Sequence, residues 1–457
     1  MAGLQIIEKL PEIIQKGKKE AEEVLKAYED LFTYSEVIAL EDYHGDSCIN
    51  EFYKGDNLFV IAKLIKEDYE GKIDLIYVDP PFLTKSKHNG KINILSQDKE
   101  YTFELFAYDD TWKEGLYSYL EMLYPRLYLM RKLLSERGTI YVHLDYRTVH
   151  YVKILMDEIF GEENFLNEII WAYKSGGVSN RYYSRKHDNI LVYTKTKNYI
   201  FNPQKEKSYN RDFKPYRFKG VEEYKDEIGW YTLVNLKDVW QIDMVGRTSS
   251  ERVNYATQKP EKLLERIILT SSDENSIVAD FFAGSGTLGA VAERLNRRWI
   301  MSDKGDLSAV TIYKRLLNNQ YNPFICFKEK GKERVGGKLS IKDGIVENSL
   351  LKIQLDAYEI DLENVNIKEK YRVQMEELIE NNSLALIEFI GFDLDYDGQK
   401  PVISTKFVRN FAKVIDSNII VKGNFKEGQK IFVKYIDVFG KENYSIYQIN
   451  KGRMTYV

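Results

Sequence analysis

The chain has 457 residues and a formal net charge of −4, and its apolar and charged fractions are ordinary for a globular protein. Its length predicts two or three domains with a sizeable core. Two cysteines, Cys48 and Cys326, exclude a disulfide framework and a Cys-based metal site, which favours a reducing cytoplasm. Because the N-terminal stretch is charged and no uncharged apolar run is long enough to span a bilayer, we expect a cytoplasmic chain without membrane contacts.

The first part of the chain predicts helix and then an alternating α/β pattern. Residues 1–45 carry apolar side chains at helical spacing and predict an N-terminal helical segment. Residues 46–170 alternate strand-like and helix-like segments, which predicts a parallel sheet covered on both faces. Within them, the polar stretch 85–102 predicts a loop.

The stretch DLIYVDPPF, residues 74–82, joins a buried strand to an acid, two prolines and an aromatic ring. Its first five residues are mostly apolar β-formers, so they predict a strand with Asp79 at its carboxyl end. Pro80 and Pro81 cannot continue the strand, because they lack an N–H and have a fixed φ. The sequence therefore predicts a stiff turn that holds the Asp79 carboxylate and the Phe82 ring in fixed relation.

A basic and aromatic segment follows, although the chain as a whole is acidic. Residues 174–219 contain twelve basic and three acidic side chains, with tyrosines and phenylalanines interleaved. Basic residues neutralise phosphates and aromatic rings stack on or insert between bases, so the segment predicts a nucleic-acid-binding surface. A solvated protein face is the alternative. The candidate contact residues are Lys174, Arg181, Tyr182, Arg185 and Lys186.

The stretch ADFFAGSGTLG contains GxGxxG between a predicted strand and a predicted helix, within residues 251–330. Its glycines let a ligand approach the backbone, and Asp303 at the end of the next predicted strand is placed to accept hydrogen bonds from ribose. This motif alone leaves three alternatives: a nicotinamide dinucleotide site, an S-adenosylmethionine site, or a turn that only packs. Residues 331–457 predict a separate mixed α/β module without an assignable motif.

VDPPF and DFFAGSGT together resemble the amino-methyltransferases that methylate exocyclic amines of DNA bases. The tetrapeptide comes first, the basic block second and the glycine turn last, which is similar to the β-class order. The resemblance implies a target-recognition domain over residues 171–250, between the two motifs, whose basic and aromatic residues contact DNA. YATQKPEKLLERII, GTIYVHLD and HDNILVYTK resemble segments of type III modification (Mod) subunits. The resemblance covers residues 45–325 and implies a doubly wound, mostly parallel α/β sheet of the Rossmann-like methyltransferase type.

The resemblance also implies residue roles. Asp79, Pro80, Pro81 and Phe82 would be catalytic, and no metal is implied. Nine residues would bind S-adenosylmethionine, with Lys259 near its carboxylate: Asp56, Lys259, Asp280, Phe282, Gly284, Ser285, Gly286, Thr287 and Asp303. The alternatives are an N-cap role for Asp56 and a solvated surface position for Lys259, while Trp112 could border the base pocket or lie buried in the core.

The predicted function is methylation of adenine N6 in double-stranded DNA, with the base flipped out of the duplex. Asp in the first motif position favours adenine, since β-class cytosine-N4 enzymes more often have Ser there, while Phe82 departs from the commoner Tyr. A homodimer and a separate restriction subunit are left open as partners. The rival interpretations are a cytosine-N4 or RNA-base methyltransferase, a nicotinamide enzyme, and a non-catalytic DNA-binding module.

Overall fold

The computed structural model describes residues 6–40, 49–319, 321–331, 336–365, 367–410 and 413–457. The α-helices in chain order are α1 (Ile6–Lys26), α2 (Asn57–Leu64), α3 (Leu116–Leu133), α4 (Val149–Phe160), α5 (Glu261–Ser271), α6 (Thr287–Arg294), α7 (Asp306–Leu317) and α8 (Arg372–Asn382). The strands of the first half are β1 (Phe32–Ile38), β2 (Asn50–Lys54), β3 (Ile73–Val78), β4 (Lys87–Ser96), β5 (Lys99–Asp109), β6 (Leu134–Leu144), β7 (Phe165–Ala172), β8 (His187–Thr194), β9 (Lys205–Tyr209), β10 (Tyr224–Lys225), β11 (Trp230–Asn235) and β12 (Val239–Gln241). The strands of the second half are β13 (Ile277–Asp280), β14 (Arg298–Asp303), β15 (Phe324–Glu329), β16 (Lys338–Glu347), β17 (Leu350–Glu359), β18 (Ile387–Asp393), β19 (Val402–Ile403), β20 (Thr405–Val408), β21 (Asn418–Lys422), β22 (Lys430–Asp437), β23 (Glu442–Asn450) and β24 (Arg453–Tyr456).

An 11-stranded sheet forms the centre of the molecule, in the order β12-β7-β8-β6-β3-β13-β14-β2-β15-β1-β19. All neighbours from β6 to β15 are parallel. Antiparallel pairing joins β8 to both β6 and β7, and β1 to β15. The predicted doubly wound, mostly parallel sheet is confirmed, and the predicted recognition region 171–250 adds β8 and β12 to it.

The chain changes its direction of travel through this sheet between β3 and β13. From β3 it crosses through α3 to β6 on one side, and from β13 it crosses through α6 to β14 on the other. In open α/β sheets, ligands bind outside the carboxyl ends of the strands at such a switch point. Asp79 directly follows β3 and Asp280 ends β13, so both acids lie there.

Helices cover both faces of the large sheet. α1 to α4 pack on one face around buried side chains such as Ile61 and Leu123. α5 to α7 pack on the other face around Leu264 and Val291. Full burial of each such side chain stabilises the fold by roughly 1.5–3 kcal/mol, which holds the strand ends in place.

Two predicted elements are wrong. The sequence predicts a helical segment through residue 45, but residues 32–38 form β1. The strand forms because FTYSEVI is rich in the β-branched and aromatic residues that favour strands. Residues 41–48 lie outside the described part of the chain.

The polar stretch 85–102 is not a loop, because most of it forms the β4–β5 hairpin. Its sparse apolar residues alternate, so Ile92 and Ile94 are buried on one face. The two turn residues, Gln97 and Asp98, have φ of 49° and 64°. Positive φ at both positions is the type I′ hairpin geometry, which the sequence conceals because neither residue is the usual glycine.

The C-terminal residues form an eight-stranded sheet, in the order β20-β18-β22-β23-β24-β16-β17-β21, with α8 against it. This module is joined to the rest, because β19 pairs with β1 at the edge of the large sheet. A buried ion pair between Lys434 and Glu36 crosses the junction, and Glu442 lies 2.7 Å from the Lys328 ammonium. Within the described residues, no helix is long and apolar enough to cross a membrane.

Candidate active site

A large cavity opens where β3, β13 and β14 end. Its volume is about 1410 Å³. The DPPF turn, the glycine turn and the C-terminal module all contribute to its wall. Its lining includes Asp56, Asp79, Pro80, Pro81, Phe82, Trp112, Tyr255, Lys259, Asp280, Phe282, Gly284, Ser285, Thr287 and Asp303. The structure thus brings together nearly all residues that the sequence assigns to catalysis and cofactor binding.

Asp79 has one paired and one unpaired carboxylate oxygen. Its Oδ2 accepts a hydrogen bond from the Lys259 ammonium. Its Oδ1 is buried and has no hydrogen-bond partner within the described part of the chain. A buried acceptor without a partner costs free energy, so it calls for a physical reason. A ligand donor that enters the cavity would satisfy this oxygen.

Lys259 is not the solvated surface residue of the bland alternative. Its side chain is 9% exposed, and its ammonium lies 5.0 Å from the centroid of the Phe82 ring. A buried ammonium needs an anionic partner, and Asp79 supplies it. The sequence resemblance placed Lys259 near the cofactor carboxylate, a role that stays a prediction.

Hydrogen bonds hold the segment of residues 251–260, which precedes α5, in place. The Gln258 side chain accepts from the Val253 N–H at 2.9 Å and donates to the Glu251 carbonyl at 2.6 Å. Thr287 in the glycine turn donates to the Lys259 carbonyl at 3.3 Å. Lys259 is therefore held by its backbone as well as by its charge.

Phe82 lies against a buried polar network. The His143 ring is 5.7 Å from the Phe82 ring. His143 Nδ1 is 2.8 Å from the Tyr77 hydroxyl, and its Nε2 is 3.3 Å from Asp188. Burial raises the pKa of Tyr77 well above its usual value, so the phenol stays protonated. His143 is thus a structural support beside the aromatic ring.

The loop after DPPF is fixed by Asp110, which sequence reasoning missed. This buried carboxylate accepts from the backbone N–H groups of Leu83 and Thr84, at 3.0 and 2.7 Å. It also accepts from the Trp112 indole at 3.0 Å. Trp112 is half-buried: its ring packs edge-on against Tyr119 and also borders the cavity, and its place at a base pocket stays a prediction.

The glycine turn is shaped by two strand-end acids. Asp280 accepts from the Phe282 N–H at 2.9 Å. Asp303 accepts from the N–H groups of Gly284 and Gly305, each at 2.8 Å. Burial raises the pKa of Asp280 well above its usual value and also raises that of Asp303. Asp303 therefore fixes the glycine turn, while its hydrogen bonds to ribose stay a prediction.

Glycine is required at two positions of this turn. Gly284 has φ +50° and Gly286 has φ +70°, in the left-handed region that side chains rarely adopt. A Cβ on Gly286 would lie 2.8 Å from Ile312, so this glycine serves packing. A Cβ on Gly284 would face the Tyr255 ring at 3.4 Å inside the cavity. Gly284 is thus the position where a ligand can approach the backbone.

The remaining predicted cofactor residues also have partners within the protein. Ser285 and Thr287 are buried, and the Arg315 guanidinium donates to Thr287 at 2.9 Å. Asp56 caps α2 through the Leu58 N–H at 3.0 Å, which is its bland alternative. Burial would raise the pKa of Asp56, but the Arg126 guanidinium at 2.7 Å and the cap bond lower it overall.

The five residues predicted to contact DNA lie at the start of one loop or within it. Lys174, Arg181, Tyr182 and Arg185 are exposed, and the Arg185 guanidinium lies 4.8 Å from the Tyr182 ring. Lys186 differs, since its ammonium donates to three backbone carbonyls and thereby closes the loop. Among the described residues, no group of His, Cys, Asp and Glu is arranged to hold a metal ion.

Comparison with known proteins places this site in a family. M.HpaI, a type II methyltransferase of Haemophilus parainfluenzae, is 30% identical over 270 residues, which cover 59% of this chain and 76% of the relative. The DNA adenine methyltransferase YhdJ of Escherichia coli K12 is 29% identical over 253 residues, covering 54% and 75%. The Mod subunit of the type III restriction-modification enzyme StyLTI from Salmonella typhimurium is 28% identical over 353 residues, covering 59% and 53%. The pattern of the DNA methylase family, which comprises N6 and N4 methyltransferases, matches residues 73–315, from β3 to the last helix of the large sheet. The chain therefore belongs to the DNA methylase family, as its two motifs predict.

Proposed function

We propose that this protein transfers a methyl group from S-adenosylmethionine to N6 of adenine in duplex DNA. The observation that carries the proposal is the buried, unpaired Oδ1 of Asp79, beside Phe82 at the switch point of the sheet. Family membership supplies the reaction class. The site supplies an acceptor that the reaction needs. This acceptor has no hydrogen-bond partner among the described residues.

The target amine needs such an acceptor because it is a weak nucleophile. Its lone pair is delocalised into the base. An acceptor for one amine N–H would localise the lone pair and stabilise the positive charge that develops on nitrogen as the C–N bond forms and the methyl–sulfur bond breaks. The leaving group would be the neutral thioether of S-adenosylhomocysteine, and the methylated amine would lose one proton to solvent. Asp79 Oδ1 takes this role, and the family resemblance implies the Pro80 carbonyl as a second acceptor. The proline turn keeps both in place, so little reorganisation is needed.

The residues of the cavity fit the cofactor. The volume of about 1410 Å³ exceeds the roughly 300–1,000 Å³ of usual ligand sites, which leaves room for a cofactor and a flipped base together. Gly284 presents open backbone, and Asp303 stands at the end of the neighbouring strand to meet ribose hydroxyls. S-adenosylmethionine supplies a methyl group already activated by its sulfonium charge. Asp280, Phe282, Ser285, Gly286 and Thr287 shape the turn around it.

The base must leave the duplex to reach this site. The Asp79 side chain is only 17% exposed, so a stacked base cannot place its amine on Oδ1. Phe82 offers a ring on which the flipped base stacks, with the Lys259 ammonium 5.0 Å and the His143 ring 5.7 Å from its centroid. The exposed charges at Lys174, Arg181 and Arg185 then hold the DNA backbone.

Adenine is favoured over cytosine by the acid in the first motif position and by the name of the Escherichia coli relative. The type II and type III relatives carry names from restriction-modification, which supports a role in such a system. A separate restriction subunit is proposed on the Salmonella typhimurium relative, which is itself a Mod subunit. A homodimer and the cytoplasmic location stay predictions.

The test is a product analysis. The protein is incubated with isotopically labelled S-adenosylmethionine and unmethylated genomic DNA, which is then digested to nucleosides and identified by mass. Labelled N6-methyladenine is the expected product. Labelled N4-methylcytosine would keep the mechanism and overturn the base, whereas label in RNA offered in a parallel reaction, with none in DNA, would overturn the substrate. A protein that binds no S-adenosylmethionine would overturn the proposal entirely.

A further inference from the structure

We infer that Lys259 is a positioning residue for methyl transfer, which holds Asp79 by one oxygen so that the other faces the target amine. The inference rests on the proposed function. It starts from the unequal state of the two Asp79 oxygens: Oδ2 is paired with the Lys259 ammonium, and Oδ1 is buried without a partner in the described residues.

A carboxylate needs such a partner to keep one orientation. The terminal torsion of an aspartate side chain is broad and roughly two-fold, so an unpaired carboxylate samples many planes. Pairing with a fixed cation selects one plane and decides which oxygen remains free. Asp79 follows a strand and precedes two prolines, so its backbone is already fixed and its two side-chain torsions are the freedom left.

Lys259 is suited to this role because it cannot easily move. Its side chain is 9% exposed and its ammonium lies over the Phe82 ring. Its carbonyl is bonded to Thr287, and the preceding Gln258 ties the segment back to Glu251. One ammonium therefore contacts both the proposed acceptor and the proposed stacking ring, which fixes their relative position.

The acids that line the cavity also favour a cation at the position of Lys259. Asp79, Asp280 and Asp303 all line the cavity, and the pKa of Asp280 is raised by burial and by the charges of the other two. The Lys259 charge acts in the opposite direction on Asp280. Without this cation, Asp79 would be a buried charge facing other acids, which favours its withdrawal from the amine site.

This role differs measurably from a contact to the cofactor carboxylate. If Lys259 acts through Asp79, its loss slows the chemical step and spares cofactor affinity. If Lys259 instead binds the cofactor, its loss weakens cofactor affinity and leaves the rate at saturating cofactor intact. The two readouts separate the two roles.

The experiment compares Lys259→Met and Lys259→Arg with the wild-type protein. Cofactor affinity is measured by calorimetry, and single-turnover methyl transfer is measured at saturating cofactor and DNA. We expect Lys259→Met to lower the single-turnover rate by about 100-fold with cofactor affinity changed by less than about 3-fold, in the range of lost orienting contacts. Lys259→Arg keeps a cation and is expected to recover part of the rate. Lys262→Met, at an exposed position of α5, is the matched control and should leave both readouts unchanged.

Each outcome decides the inference. An unchanged rate in Lys259→Met overturns it while the proposed function stands. Lost cofactor affinity with a normal saturated rate overturns it in favour of the cofactor contact. A slow Lys259→Met at a temperature where the variant is fully folded supports it, and a rate loss that disappears well below a lowered melting temperature overturns it in favour of a purely structural ion pair. An inactive wild-type protein overturns the proposed function and the inference together.

Discussion

The catalytic pocket and the recognition loop both use charge, but they place it in opposite surroundings. In the pocket, Asp79 and Lys259 pair with each other at side-chain exposures of 17% and 9%. In the loop of residues 175–186, the charged side chains of Arg181 and Arg185 face water, and the loop also carries Tyr183, which is 99% exposed. The pocket charges are already paired within the protein, whereas the loop charges are exposed to solvent.

The difference reflects what each region must do. A chemical step gains most from groups that are fixed before the substrate arrives, because no reorganisation then occurs during reaction. Binding to a polyanion gains from exposed cations, which release counterions from the phosphates they contact. The comparison predicts that pocket variants change the reaction rate, whereas loop variants change DNA affinity and its salt dependence.

The largest effect is expected for Asp79→Ala. Loss of the proposed acceptor should lower single-turnover methyl transfer by at least about 1,000-fold, as for a lost group that stabilises transition-state charge. Cofactor affinity should be retained, since the glycine turn is untouched. Thermal melting is followed in parallel, because the change leaves the Lys259 ammonium without its partner. Asp356→Ala, at an exposed strand position of the C-terminal sheet, is the control. Turnover near the wild-type rate would remove Asp79 from the mechanism.

The next largest effect is expected for Gly284→Val, which tests whether the glycine turn binds the cofactor. Valine is disfavoured at φ +50°, and its side chain would enter the cavity against Tyr255. Calorimetry should detect no S-adenosylmethionine binding. Gly246→Val is the control, since no heavy atom lies within 4 Å of its Cβ position and its φ is ordinary. Wild-type affinity in Gly284→Val would move the cofactor away from this turn.

The sequence predicts the strand-end positions of this site well, because local chemistry determines them. Two prolines after β3 force a turn at Asp79 whatever the rest of the chain does. The positive φ at Gly284 and Gly286 likewise needs glycine, so the motif marks the turn by itself. The order of elements around these motifs is enough to predict a mostly parallel sheet.

Other features depend on contacts between distant residues, and the sequence does not reveal them. Asp79 and Lys259 are separated by 180 positions, so their pairing follows only from the folded sheet. The β4–β5 hairpin was missed because its turn lacks glycine, although its residues alternate. The C-terminal module borders the cavity with Phe432 and Tyr444, a role that no local motif announces.

A triple charge reversal tests whether the recognition loop binds DNA through its exposed cations. Lys174→Glu, Arg181→Glu and Arg185→Glu remove three exposed cations, whereas Lys186 is left in place because it closes the loop. DNA affinity should fall steeply, and the slope of log K against log salt should flatten by about 2–3 units, near 0.9 for each lost phosphate contact. Cofactor affinity should not change.

The matched control reverses three exposed lysines of the C-terminal sheet, Lys338, Lys422 and Lys430. The same change in net charge then acts at a distant place. If both triple variants lose DNA affinity equally, the effect is one of net charge, and the loop is not the DNA-binding surface.

The smallest effect is expected for Tyr183→Ala. This ring is 99% exposed, so its removal should leave thermal melting unchanged. An aromatic ring that stacks on or inserts between bases contributes about 1–3 kcal/mol, so DNA affinity should fall by roughly 10-fold with an unchanged salt slope. Tyr456→Ala removes a 69% exposed ring from the C-terminal sheet and serves as the control. An unchanged salt slope distinguishes a lost stacking contact from a lost charge. A normal DNA affinity in Tyr183→Ala would mean that Tyr183 neither stacks on nor inserts between the bases.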